Sequence, residues 1–108
     1  MKELSRLEEI LLLAIWRLKE NAYGVAIRKL ISDQTGKEMS YGALYFALDQ
    51  IYNKGYVSKT AGDPTPVRGG CRKIYYSLRP EGKKALKNTY TLQQTIWDGL
   101  SIVKIERG

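Results

Sequence analysis

A chain of 108 residues with no histidine and a single cysteine has few routes to catalysis. The commonest general base and the usual partner of a serine or cysteine nucleophile are missing, and Cys71 has no second cysteine for a disulfide or a thiolate zinc site. Its apolar content of 44% suits one folded domain with room for an added helix, while a net charge of +7 points to an anionic partner such as nucleic acid.

The charge is concentrated. Residues 54–87 carry Lys54, Lys59, Arg68, Arg72, Lys73, Arg79, Lys83, Lys84 and Lys87 against only Asp63 and Glu81, which is the whole net charge. Elsewhere acids and bases cancel. Asp33, Asp49, Asp63 and Asp98 share no spacing that would build an acid/base pair. No enzyme activity, metal or cofactor is expected.

Leu4, Leu7, Leu11, Ala14, Ile15 and Leu18 fit the i, i+3, i+4, i+7 template of an amphipathic helix. Ile10, Leu12, Leu13 and Trp16 make its middle apolar nearly all round, so two covers are expected, with Trp16 in the core. The apolar run is too short to span a bilayer. Glu8 and Glu9 precede it, which is not the shape of a signal peptide; a cytoplasmic protein with no membrane partner is expected.

Asn21–Gly24 marks a break. Tyr23, Ile27, Leu30 and Ile31 then give a second helix to about Thr35, with Gly36 as its stop. Ser40 is a good N-cap for a third helix, whose Leu44, Leu48, Ile51 and Tyr52 recur at helical spacing before Gly55 ends it. Three helices joined by short turns suggest a helix-turn-helix. At the start of the third helix, Ser40 and Tyr41 can reach phosphates or base edges, and Gly42 and Ala43 allow close backbone approach.

After Gly55 the period changes to that of strands, Tyr56–Thr60 and Lys73–Leu78. The loop between them is rich in glycine and proline, so the pair reads as a β-hairpin wing. Arg68, Arg72 and Lys73, beside Gly69 and Gly70, suit a loop lying on a DNA backbone or in a minor groove. As a bare hairpin, they would be solvated charges. Cys71 at the tip is either a thiol sensor or inert. Pro80 and Glu81 open a last helix, expected to run to about Ile105 with Gly99 inside it. Its stripe of Leu92, Ile96, Leu100 and Val103 needs a cover, for which a second copy of the chain is the economical candidate.

Several of these pieces resemble the PadR family of transcriptional regulators: Tyr23-Gly24 opening the second helix; Ser40-x-Gly42-Ala43-Leu44-Tyr45-x-Ala47-Leu48; Lys54-Gly55-Tyr56-Val57; and Arg72-Lys73-x-Tyr75-Tyr76-x-Leu78-x-Pro80-Glu81-Gly82. The resemblance implies a mainly α fold with a small β-hairpin. A winged helix-turn-helix DNA-binding domain would span residues 1–79 and a C-terminal dimerisation helix residues 80–108. It further implies a homodimeric repressor, paired through its first and last helices, on a palindromic or near-palindromic operator of double-stranded DNA. The DNA-binding set is then Tyr23, Gly24, Ser40, Tyr41, Gly42, Ala43, Tyr45, Arg68, Gly69, Gly70, Arg72, Lys73 and Tyr75, with Tyr23 and Tyr45 similar to the family's phosphate-contacting tyrosines. Core packing is the other role open to both tyrosines.

Trp97 lies where some members sandwich a flat hydrophobic compound across the dimer axis, so a small hydrophobic or phenolic effector is implied there; an interface tryptophan without ligand is the alternative. Arg79 stands where the family usually has threonine before Pro-Glu-Gly, so the helix cap must come from elsewhere. The alternative to a regulator is a winged-helix protein-interaction module without sequence-specific DNA binding.

Overall fold

The computed structural model of the chain describes residues 3–62 and 73–107. Arg68, Gly69, Gly70, Cys71 and Arg72, expected from the sequence at the wing tip, lie outside the described residues. The element order is α1 (Arg6–Leu18), a 3₁₀ turn (Lys19–Asn21), α2 (Gly24–Thr35), α3 (Tyr41–Asn53), β1 (Val57–Ala61), β2 (Ile74–Leu78), α4 (Pro80–Trp97) and α5 (Ile102–Arg107).

α1 begins with a capping box. The Ser5 hydroxyl accepts the Glu8 N–H at 3.1 Å, and the Ser5 N–H donates to the Glu8 carboxylate at 2.9 Å. The same carboxylate pairs with Lys54 just beyond the end of α3, so one acid caps its own helix and ties it to another. Leu11, Leu12, Ala14 and Ile15 are buried against Ile27 and Ile31 of α2 and Leu44, Leu48 and Ile51 of α3 in a single core. Trp16 is not part of it. That side chain is 55% exposed, because the core side of α1 is already filled by its neighbours. Trp16 instead stands beside a concavity lined by Leu13, Lys83, Leu86, Lys87 and Tyr90.

Gly36 and Gly55, at φ 73° and φ 82°, occupy the left-handed conformation that closes a helix without a Cβ penalty. β1 and β2 pair antiparallel with Val57 opposite Leu78 and Ala61 opposite Ile74. β2 is also fastened to the start of α2: the Tyr76 N–H donates to the Ala22 carbonyl at 2.8 Å, and Tyr23 forms an isolated bridge with Tyr75. This fastening fixes the wing relative to the helix-turn-helix.

At the head of α4, Arg79 offers no side-chain cap. Its backbone N–H is satisfied by the Tyr56 carbonyl at 2.9 Å, and Pro80 at the first turn removes one orphan donor. The last helix is not continuous to Ile105. α4 stops at Trp97, the chain turns through Gly99 at φ 77°, and α5 starts at Ile102. Gly99 is therefore a left-handed turn residue rather than a weak point inside a helix. α4 and α5 extend the molecule to 58 Å along its longest axis and leave Ile96, Leu100, Ile102, Val103 and Ile105 exposed.

Candidate nucleic-acid interface

α3 divides cleanly into two faces. Leu44, Ala47, Leu48 and Ile51 are buried, whereas Ser40, Tyr41, Gly42, Ala43 and Tyr45 are exposed at its N-terminal end. The Ser40 hydroxyl accepts the Ala43 N–H at 3.1 Å, which fixes the first turn. A Cβ built on Gly42 would meet nothing within 4 Å. Gly42 and Ala43 therefore make a low, open floor beside the tyrosines, into which a major-groove edge can come close.

The tyrosines are ordered by one another. Tyr41 and Tyr45 stack with ring centroids 6.4 Å apart and planes at 23°. The Tyr45 hydroxyl lies against Gly24, the first residue of α2. On the wing side, Tyr23 and Tyr75 meet edge to face at 5.6 Å, and the Lys73 ammonium sits 4.3 Å from the Tyr23 ring centroid. A Cβ on Gly62 would be 2.6 Å from the Tyr75 ring, so the ring crosses the first strand's exit closely. The structure thus brings Ser40, Tyr41, Gly42, Ala43 and Tyr45 together through α3. It brings Tyr23, Gly24, Tyr75 and Lys73 together where β2 meets α2.

The acidic charge on the second half of α3 is balanced from β1. Asp49 accepts from Lys59 at 3.0 Å, and the same ammonium lies 4.3 Å from the Tyr52 ring centroid. Tyr52, expected on the core stripe, is 42% exposed because Ile51 and Leu48 already face inward. Lys59 thereby screens the one carboxylate on α3. Tyr76, buried behind this face, has the pKa of its hydroxyl pushed up to about 12 by burial, with the negative charge of Asp49 adding to the shift.

Sequence reasoning missed Arg28 and Phe46. Arg28 packs its guanidinium over Tyr41 at 4.7 Å; it sits one helical turn after Gly24, a spacing that places both on one face of α2. Phe46 is 66% exposed, one position off the buried stripe, where the 3.6-residue period would have placed it.

The sequence model described as "Transcriptional regulator PadR-like family" matches residues 11–88. The chain belongs to this family. Residues 11–88 run from the middle of α1 into α4, so the match includes the whole helix-turn-helix and both strands of the hairpin. PadR-like proteins are transcriptional regulators and not enzymes.

Solved structures agree. A complex of RosR, a protein of H. salinarum, is 26% identical, with a TM-score of 0.74 over 96% of this chain and 84% of the other. A PadR family transcription regulator from hypervirulent Clostridium difficile is 26% identical, with a TM-score of 0.64 over 81% of this chain and 88% of the other. A PadR-like transcription factor from Bacteroides fragilis, at 23% identity and a TM-score of 0.71 over 83% and 82%, shares the fold. No curated protein sequence matches significantly. The PadR-like winged helix is thus the frame in which the tyrosine face sits, and DNA-binding regulation is the function it serves. Among the described residues, no helix is long and apolar enough to cross a membrane.

Proposed function

We propose that the chain is a cytoplasmic, homodimeric, sequence-specific repressor whose α3 enters the major groove of a palindromic or near-palindromic operator. The observation that carries this reading is the exposed N-terminal face of α3, where stacked Tyr41 and Tyr45 flank the open floor of Gly42 and Ala43. Bases are read by Tyr41, Ala43 and Ser40, while Tyr23, Gly24, Tyr45 and Tyr75 follow the phosphates. Lys73, with Arg68, Gly69, Gly70 and Arg72 at the wing tip, supplies phosphate attraction.

Residues 1–79 form the DNA-binding unit and residues 80–108 the dimerisation arm. The exposed apolar side chains of α4 and α5, together with Leu13 and Trp16 of α1, support pairing of two copies through the first and last helices. So many large apolar side chains left exposed on one arm are accounted for by burial against a second copy. Trp97, 42% exposed on the arm, is the place for a small flat hydrophobic or phenolic effector that relieves repression.

A gel-shift titration on the DNA immediately upstream of the coding region, repeated across a salt series, tests this. A retarded band whose affinity falls steeply with salt is expected, because neutralised phosphates release counterions. No preference for that fragment over scrambled DNA, or no salt dependence, rules the reading out.

A further inference from the structure

Arg28 on α2 makes two contacts that a lysine could not combine. Its Nε–H donates to the Met39 carbonyl at 2.6 Å, in the turn that leads into Ser40. Its guanidinium lies 4.7 Å from the centroid of the Tyr41 ring. The planar fork can present an edge to a carbonyl while its face rests on an aromatic ring, whereas an ammonium is a point charge on a flexible stem. Tyr41 stacks in turn on Tyr45, and the Tyr45 hydroxyl returns to Gly24 on the helix that bears Arg28. Among the described residues, no carboxylate forms an ion pair with Arg28.

We infer that Arg28 is a positioning residue for sequence discrimination: it holds the entry to α3 and the Tyr41 ring in their reading geometry before DNA arrives. This rests on the DNA-binding reading above. Ordering an exposed aromatic in the free protein removes that cost from the binding step, and the benefit falls on the duplex that fits the held ring. A bare phosphate contact would act differently, since it would strengthen binding to every sequence alike and add to the salt dependence.

The test uses the full-length protein and a duplex enriched from a random pool by the wild type, alongside a scrambled duplex. Arg28→Lys should lose about tenfold on the enriched duplex and little on the scrambled one, with the salt slope unchanged. In a Tyr41→Ala background, the same exchange should cost almost nothing further, because its effect passes through that ring. Equal losses on both duplexes, or losses that simply add, overturn the inference. Tyrosine-labelled NMR spectra of the free protein give a second arm. The Tyr41 ring signal should shift in both Arg28→Lys and Arg28→Gln while signals from buried Tyr76 stay in place; an unmoved Tyr41 signal overturns the inference without reference to DNA. If the wild type enriches no duplex, it is the DNA-binding reading that fails, and the Tyr41 signal still decides whether Arg28 holds the ring.

Discussion

The hydroxyl of Tyr45 occupies the space where Gly24 would carry a side chain. A Cβ added at Gly24 would sit 2.2 Å from that oxygen and 2.7 Å from the ring carbon bearing it. Glycine at the start of α2 is thus explained by an aromatic ring on α3, and the two residues must be considered together. Tyr45 is 42% exposed, so the ring has somewhere to go if it is displaced.

That relationship predicts a separation of stability from binding in Gly24→Ala. The ring should swing outward at little cost, and alanine recovers some helix propensity, so the thermal midpoint should move only slightly. Affinity for the operator should fall about tenfold because the Tyr41–Tyr45 stack is broken. Thermal unfolding by circular dichroism and a gel-shift titration on one preparation check both halves.

Lys73 and Tyr41 should fail in different ways. Lys73 lies over Tyr23 at the root of the wing, where a cation meets phosphate rather than bases. Lys73→Gln is expected to weaken specific and scrambled DNA alike and to reduce the salt slope by about one. Tyr41→Ala should instead change which sequences are bound, by about 1–3 kcal/mol at the base pairs it faces. Parallel selections from a random pool with each variant distinguish the two outcomes.

The helix-turn-helix was legible because its signals are local. Ser40 as a cap, Gly36 and Gly55 as stops, and the stripe through Leu44, Leu48 and Ile51 each follow from one stretch of chain, as do the two strands. What escaped depends on contacts far apart in sequence. Trp16 looked like core because the middle of α1 is apolar on every side, and only the packing of Leu11, Leu12 and Ile15 decides which side is inward. Arg28 gave no motif of its own; its role appears only when Met39 and Tyr41 fold back on it. The break at Gly99 was hidden by an apolar stripe that continues across it, since α5 resumes the helical period a few residues later.

Gly82 gives the clearest stability prediction. It lies in α4, directly over the Tyr56 backbone, where an added Cβ would be 2.3 Å from the carbonyl oxygen and 3.1 Å from its carbon. Backbone cannot swing aside as a side chain can, and the same carbonyl accepts the Arg79 N–H. Gly82→Ala should therefore destabilise the fold by about 1–3 kcal/mol despite alanine's better helix propensity. Urea unfolding should show a lower midpoint with an unchanged slope.

Glu8 links stability to pH. Burial favours the neutral acid, but hydrogen bonds from Lys54 and from the Ser5 backbone and hydroxyl, with the Lys54 charge, more than offset it and hold the carboxyl below its ordinary 4.5. A carboxylate whose folded value is depressed stabilises the native state at pH values above its unfolded value. That contribution is lost as pH falls through the folded value. Glu8→Gln should thus be less stable than the wild type near neutral pH, and the gap should narrow steadily below about pH 4.5. Lys54→Met should be the more damaging exchange near neutrality, because it leaves the Glu8 carboxylate largely buried without its cation. Urea unfolding of the three proteins across an acid pH series measures the convergence; a gap between wild type and Glu8→Gln that stays constant into acid would show that the pair contributes through packing alone.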